Sequence, residues 1–474
     1  MRRTKIVCTV GPAIDSEEML RKIVEAGADV LRLNFSHETP REHRARVQRI
    51  RSVEEQVAKP LTILQDLPGP KIRIGSFREG PIYLAVGGRF TLTTEPVEGD
   101  KNRVSVNYPL LAREVQPGQH LLLADGLVEL IIDEVAPPEI RCSVVLGGPL
   151  SNQKGISVPH GALSVPAFTD VDRSLLLEGL DMGVSMAALS FVRSVEDIAR
   201  ARNCLDTSHS DLPVMAKIEK PEAVAALSEI LGVVDAVMVA RGDLGVEIPF
   251  PEVPLVQKDI INQARATATP VITATQMLRS MVESPRPTRA EAADVANAVL
   301  DGTDAVMLSE ESAMGAYPVE AVEALAAIAE AAEQRLFEET PFLDLPTNVD
   351  AGVSAAIGHS ACVLSRDAGA EAIVCCTRTG STARNVARHR PNTPIIAVSP
   401  NIETVRRMGL IWGVKPVLCD DFRSIDGMVQ MSMDAVRDST HMESGARVVI
   451  AGGSLDAGPG FTDFLRVAVL GSKQ

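Results

Sequence analysis

Aromatic side chains are scarce: Phe, Trp and Tyr make up 3% of the 474 residues, and Trp occurs once. An aromatic-rich β-sandwich core is therefore disfavoured. The apolar mass is Ala, Val, Leu and Ile within a hydrophobic fraction of 45%, which suits parallel sheets covered by helices. Basic charge is also short, and the formal net charge is −15. Nucleic acid and anionic membranes need clustered Lys and Arg, so neither is an expected partner, whereas a small anion in a local basic pocket is compatible. The seven cysteines form no C-x-x-C pair and are odd in number, which predicts packed, reduced thiols. No apolar run reaches the roughly 20 residues of a membrane-spanning helix, and MRRTKIVCTVG lacks the apolar stretch of a signal peptide. A soluble, cytoplasmic protein is expected. There is no P-loop and no G-x-G-x-x-G.

What is present is alternation. The length predicts about two to four domains. Apolar runs at 5–10, 30–35, 61–67, 184–192, 213–219, 236–243, 270–276 and 305–310 are separated, for the most part, by one helix-period segment such as SEEMLRKIVEAGA. Such alternation predicts parallel pairing, and the number of units predicts a closed (β/α)₈ barrel, an α/β TIM barrel, over 1–70 and 166–339. The interval 71–165 breaks the rhythm with β-like runs, RFTLTTEP, HLLLADGLVELIIDEVA and IRCSVVLGG. It is expected as an inserted all-β domain, a small β-barrel placed as a lid over the catalytic face. After the Ala-rich segment 319–339, alternation resumes and predicts a doubly wound C-terminal α/β regulatory domain over 340–474.

In such barrels chemistry sits at the C-terminal ends of the strands, and here those ends are polar. They carry Arg32, Asn34 and Ser36, then Asp66, Ser190, Lys217 with Glu219, Arg241 with Asp243, Thr275 with Gln276, and Ser309 with Glu310 and Glu311. One polar strand end is readily a helix cap or an ion pair. Convergence of so many on one mouth points to a site. Glu219 and Asp243 come from adjacent strands, and two hard carboxylates with open positions suit Mg²⁺ or Mn²⁺. Lys217 lies on the same strand face as Glu219. Together with Arg32, Arg73 and Arg241 it fits a multiply charged phosphorylated anion, and phosphoryl transfer is mostly positioning plus charge neutralisation.

The segments KIVCTVGPA, VLRLNFSH, QDLPGPKIRIG, MAKIEKPEAV, VMVARGDLGVEIP, TATQMLRSM and DAVMLSEESAMGAYPVEAV together resemble the pyruvate kinases, over about residues 3–335 and more weakly beyond. The resemblance implies transfer of the phosphoryl group of phosphoenolpyruvate to ADP, with Mg²⁺ on Glu219 and Asp243. It makes Lys217 the cation beside the phosphoryl group and places the substrate carboxylate at the backbone of Arg241, Gly242 and Asp243. Thr275 would deliver a proton to the enolpyruvate methylene, and Ser309 and Glu311 would form a proton relay. Arg32 and Arg73 would clamp phosphate, with Asn34 near the nucleotide, Ser190 near the substrate, and Lys154 reaching ADP from the lid. A homotetramer is implied as well.

Several positions depart from the family pattern. Glu310 and Met314 stand where a glycine and a lysine are common. Leu67 and Lys71 replace a threonine and a glutamate beside the K⁺ cage that Asn34, Ser36 and Asp66 would help to form. Family members with this Leu and Lys work without K⁺, so independence of K⁺ is expected. In CTRTGSTARN, the hydroxyls of Thr377, Thr379, Ser381 and Thr382 around Gly380 make an anion site or plain helix capping. AGGSLDAGPGFT lacks the Trp- and Arg-bearing loop for a second phosphate, so a sugar monophosphate or AMP is the expected effector. The alternative reading is a Mg²⁺-dependent enolpyruvate aldolase or lyase on the same barrel. A non-enzymatic relative should have lost a metal carboxylate or Lys217, and none is missing.

Overall fold

The computed structural model describes residues 2–159, 161, 163–339, 352–440, 442–454 and 460–471. Eight parallel strands close into a ring: Lys5–Thr9, Val30–Asn34, Thr62–Asp66, Met186–Leu189, Val214–Ile218, Ala236–Ala240, Val271–Ala274 and Ala305–Leu308, the last pairing with the first. Alternation along each strand sorts the side chains. Ile6, Cys8, Val237 and Val239 face the surrounding helices, while Val7, Met238, Ile272 and Met307 fill the interior. With aromatics scarce, Met, Val and Ala supply that filling. Thr39, Thr169 and Thr288 begin barrel helices with reciprocal capping boxes to Glu42, Asp172 and Glu291.

The strands stop short of the apolar runs. In the run 236–243 the strand ends at Ala240, and Arg241–Glu247 is a helix, so the Arg241–Asp243 backbone stands at a helix start. Likewise Met186–Leu189 ends before Phe191, whose φ of 57° lies in the left-handed region. Side chains take over from the ladder there: Phe191 N donates to Glu219 Oε2 at 2.8 Å.

The insertion between the third and fourth strands has its own core, including Phe90, Leu92, Leu130 and Ile140. Its strands form a six-stranded sheet and a separate pair, with isolated bridges such as Arg73 with Gly155 outside both, rather than the single closed barrel expected from sequence. Short strands interrupted by glycine turns do not complete a ring. Both chain crossings are tied down: Gly69 N donates to Asp172 Oδ1 at 2.9 Å, and the Arg193 guanidinium donates to Leu163 O at 2.7 Å and Val165 O at 2.9 Å.

The C-terminal sheet has five strands, four parallel and Phe464–Val469 antiparallel at one edge, with apolar clusters on both faces. The boundary expected at 340 lies within 340–351, outside the described residues. This unit closes the bottom of the barrel. Leu410, 1% exposed, joins the cluster inside the ring, and the neighbouring backbone is so close that a Cβ on Gly409 would stand 2.5 Å from Thr62 Oγ1. Arg406 pairs with Glu54 at 2.7 Å across the same seam.

Candidate active site

At the opposite end of the barrel, the second to fifth strands bring a charge cluster together. Lys217 Nζ lies 2.8 Å from Glu219 Oε1 and 3.4 Å from Asp66 Oδ1, and donates to Ser190 Oγ at 2.8 Å. Ser190 Oγ in turn donates to Leu67 O at 2.7 Å. Arg32 grips Asp66 Oδ2 through Nε at 2.7 Å and Thr9 Oγ1 through Nη1 at 2.9 Å. Burial works against the Lys217 charge, but Asp66, Glu219 and Asp243 outweigh it and hold the ammonium well above its ordinary range. Burial also opposes the Asp66 carboxylate, yet Lys217 and Arg32 keep it below its usual range. Glu219 goes the other way. Burial, aided by the Asp243 charge, raises its pKa despite Lys217.

Glu219 is 1% exposed, and its Oε1 accepts no hydrogen bond of good geometry although the Lys217 ammonium is near. A buried carboxylate oxygen left over beside a second, half-buried carboxylate fits a hard divalent cation that keeps water and substrate oxygens in its shell. Among the described residues no three His, Cys, Asp or Glu side chains make a closed metal cage, so only the two-carboxylate arrangement is available.

The seventh strand ends under strain. Thr275 has φ of 70° and Gln276 57°, a region that costs a β-branched residue about 1–3 kcal/mol. Arg241 holds this turn. Its guanidinium donates to Thr275 O at 2.7 Å, to Ala274 O at 3.3 Å and to Asp294 Oδ1 at 2.7 Å. The expectation that Arg241 adds side-chain charge to the mouth is thus corrected: its charge is spent on the adjacent strand end. Gly242 N, at the start of the helix, donates to Thr275 Oγ1 at 2.7 Å, and that hydroxyl donates to Ala274 O at 2.7 Å. Glu311 is also committed to backbone, accepting from Ser309 N at 2.7 Å and Leu278 N at 3.1 Å.

The remaining sequence-derived residues spread outward. Asn34 Oδ1 accepts from Ser36 N at 3.2 Å. Leu67 is buried, Lys71 is half-buried and Lys154 is exposed. Arg73 donates to Gln153 O at 2.9 Å. Glu310 pairs with Arg279 at 2.9 Å, and Met314 is exposed. A cleft between lid and barrel is lined by Lys71, Ser157, Arg193, Lys220 and Asp243. Two residues escaped the sequence reading. His37 is depressed by burial and by Arg73, Lys71 and Arg32, which places it among the cations. Lys220 donates to Glu247 Oε1 at 2.6 Å and sits 5.9 Å from the Phe191 ring centre; its position directly after Glu219 was the available signal. In the C-terminal unit, Gly380 has φ of 86°, and its N–H donates to Thr377 Oγ1 at 2.9 Å. Thr379 Oγ1 donates to Ser381 Oγ at 3.3 Å, Ser381 Oγ donates to Gly460 O at 3.0 Å, and Thr382 pairs with Thr462 at 2.8 Å. Residues 455–459 of the neighbouring loop lie outside the described residues.

A (β/α)₈ barrel with a buried lysine among carboxylates at the strand ends, an inserted lid and a trailing α/β unit defines a class of phosphoryl-transfer enzyme. Residues 1–322 match the model of the pyruvate kinase barrel domain, and residues 355–468 that of the pyruvate kinase alpha/beta domain. Pyruvate kinase 2 of Synechocystis sp. is 46% identical over 99% of this chain and 79% of its own length. Pyruvate kinase of Clostridium acetobutylicum is 40% identical over 99% of this chain and 100% of its own. The crystal structure of a pyruvate kinase from Cryptosporidium parvum superposes with TM-score 0.90 at 32% identity, covering 99% of this chain and 96% of that one. The chain belongs to the pyruvate kinase family. The aldolase or lyase alternative finds no support in these likenesses.

Proposed function

We propose that phosphoenolpyruvate and ADP meet at the mouth around Lys217, with Mg²⁺ held by Glu219 and Asp243. The observation that carries this reading is the convergence of Asp66, Glu219 and Asp243 on one largely buried ammonium. When bound, the divalent ion supplies charge that neutralises phosphoryl and carboxylate oxygens. Lys217, kept cationic, stabilises charge on the phosphoryl group as it leaves the enol oxygen. Ser190 fixes the direction of Nζ, and Arg32, oriented by Asp66 and Thr9, presents its remaining donors to phosphate. Arg73 and Lys154 of the lid, with Asn34, face the nucleotide. The substrate carboxylate takes the Gly242 amide from Thr275 Oγ1, which frees a lone pair there to accept a proton from solvent as the hydroxyl, turned away from Ala274 O, gives its own proton to the enolpyruvate methylene, with Ser309 and Glu311 bracing the neighbouring turn. Pyruvate formation from phosphoenolpyruvate and ADP, lost in Lys217→Met, tests the assignment. Retained turnover in that variant contradicts it.

The same reading extends to ions and regulation. Lys71 occupies the place of a carboxylate beside the would-be K⁺ cage, Leu67 offers no side-chain oxygen, and Asp66 is already paired with Arg32 and Lys217. The enzyme therefore works without K⁺; a rate that collapses when K⁺ is replaced by a tetraalkylammonium salt at equal ionic strength refutes this. The hydroxyl-rich turn Thr377–Thr382 receives the phosphate of a sugar monophosphate or AMP, and stronger activation by fructose 1,6-bisphosphate contradicts it. A homotetramer in the cytoplasm completes the proposal, in keeping with the free cysteines; a monomeric mass in solution argues against it.

A further inference from the structure

Far from the mouth, on the seam between barrel and C-terminal unit, four arginines surround one small cleft. Arg265 comes from the helix Val253–Ala266, and Arg384, Arg388 and Arg390 come from the helix Ser381–Ala387 and its extension. The cleft is narrow and half open, with about 200 Å³ of free space when the solvent at its mouth is counted in. Among the described residues its only carboxylate is Asp304, and Asp304 is fully engaged: it accepts from Arg390 at 2.9 Å, Val271 N at 3.1 Å and Trp412 N at 3.1 Å. The outer acid facing Arg384, Asp235, already pairs with Arg202 at 2.6 Å.

Domain docking accounts for part of this cluster. Arg390 donates to Ala387 O at 2.7 Å and Gly302 O at 2.6 Å, and Arg388 donates to Ala266 O. It does not account for the rest. The Nε groups of Arg265, Arg388 and Arg390 are buried without an acceptor. Arg265, 7% exposed, makes one bond, to Arg388 O at the long distance of 3.5 Å. Space is kept for it: a Cβ on Gly302, whose φ is 94°, would stand 2.9 Å from Arg265 Cδ. Burial, then the charge of Arg390 and of Arg388, pulls the Arg265 pKa down to about 10, against Asp304. Buried guanidinium donors without acceptors, gathered at one charge-deficient point, are the complement of a planar or tetrahedral oxyanion.

We infer that this seam binds a small inorganic oxyanion, of the phosphate or sulfate type, between Arg265 of the barrel and Arg384 and Arg388 of the C-terminal unit. The site is separate from the hydroxyl-rich turn, which lies at the other end of the same helix. The cleft is too small for a nucleotide, and nothing in it recognises a sugar.

The chain carries its own probe. Trp412 is its single tryptophan, is 2% exposed, and stacks 5.1 Å from the Arg390 guanidinium. The experiment is a titration of the intact protein with sodium sulfate, and separately phosphate, at constant ionic strength maintained with sodium chloride, read by tryptophan emission. A saturable change is expected with both anions. The same titration of Arg265→Gln and of Arg265→Gln with Arg388→Gln should weaken apparent affinity at least tenfold. A selenate-soaked crystal should show anomalous density in the cleft. An emission change that follows ionic strength alone, or saturates equally in both variants, overturns the inference. So does selenate found only at the mouth or the Thr377–Thr382 turn.

Discussion

Removing the Arg241 guanidinium separates a structural pin from a substrate ligand. In Arg241→Met the stem remains, but the donors to Thr275 O, Ala274 O and Asp294 are lost. A hydrogen bond from a charged donor contributes about 1.5–3 kcal/mol; of the two carbonyl bonds only the 2.7 Å one is short. The Asp294 side chain is 38% exposed, so that pair adds under about 1 kcal/mol after solvent screening. The expected loss of stability is therefore about 2–4 kcal/mol. Thr275, no longer held at φ of 70°, relaxes and misplaces its hydroxyl, so kcat should fall by about 10²-fold. Urea unfolding and steady-state kinetics measure both. Asp294→Asn is the control, with a loss under about 1 kcal/mol and near-normal turnover. An Arg241→Met protein with unchanged unfolding and a raised KM for phosphoenolpyruvate would refute the reasoning, since the arginine would then be a ligand.

Lys217→Met leaves Glu219 without the cation that lowers its pKa. A raised folded-state carboxyl pKa gives stability at low pH that is lost as pH rises through it, so urea midpoints of this variant should fall from pH 5.5 to 8 more steeply than those of the wild type; parallel curves would count against the pairing. Leu410→Ala empties the plug inside the ring and should cost about 2–5 kcal/mol, seen in unfolding and in faster proteolysis between the units; a loss under about 1 kcal/mol would mean the barrel floor closes without it. Lys71→Glu should lower turnover, and added K⁺ should restore it only in part, because Leu67 still lacks a side-chain oxygen; full restoration would show that Lys71 alone replaces the ion.

The barrel was legible because most of its strands are largely apolar runs between helix-period segments, as strands buried on both faces are, with their polar residues gathered toward the C-terminal ends. The positions of Lys217, Glu219 and Asp66 followed from strand ends and period alone. Direction was not legible. Nothing in VMVARGD says that the Arg241 guanidinium reaches back to the seventh strand, because that depends on carbonyls at Ala274 and Thr275 brought close by the ring. The left-handed Phe191, the lysine after Glu219 that turns to Glu247, and Leu410 entering the barrel from a separate unit are likewise products of long-range packing. The insertion's β character was readable, but whether its short strands close into a ring depends on register across glycine turns.

The carboxylate pair at the mouth is the centre of the proposed chemistry. The most direct measurement is the rate of pyruvate formation from phosphoenolpyruvate and ADP by Glu219→Gln across a Mg²⁺ titration, beside the wild type. Replacing a ligand charge by an amide, with the fold retained by circular dichroism, should lower turnover by about 10²-fold or more and move the Mg²⁺ requirement upward. A Glu219→Gln enzyme with wild-type turnover at the same Mg²⁺ concentration would contradict the assignment of the metal, and with it the placement of phosphoryl transfer at Lys217.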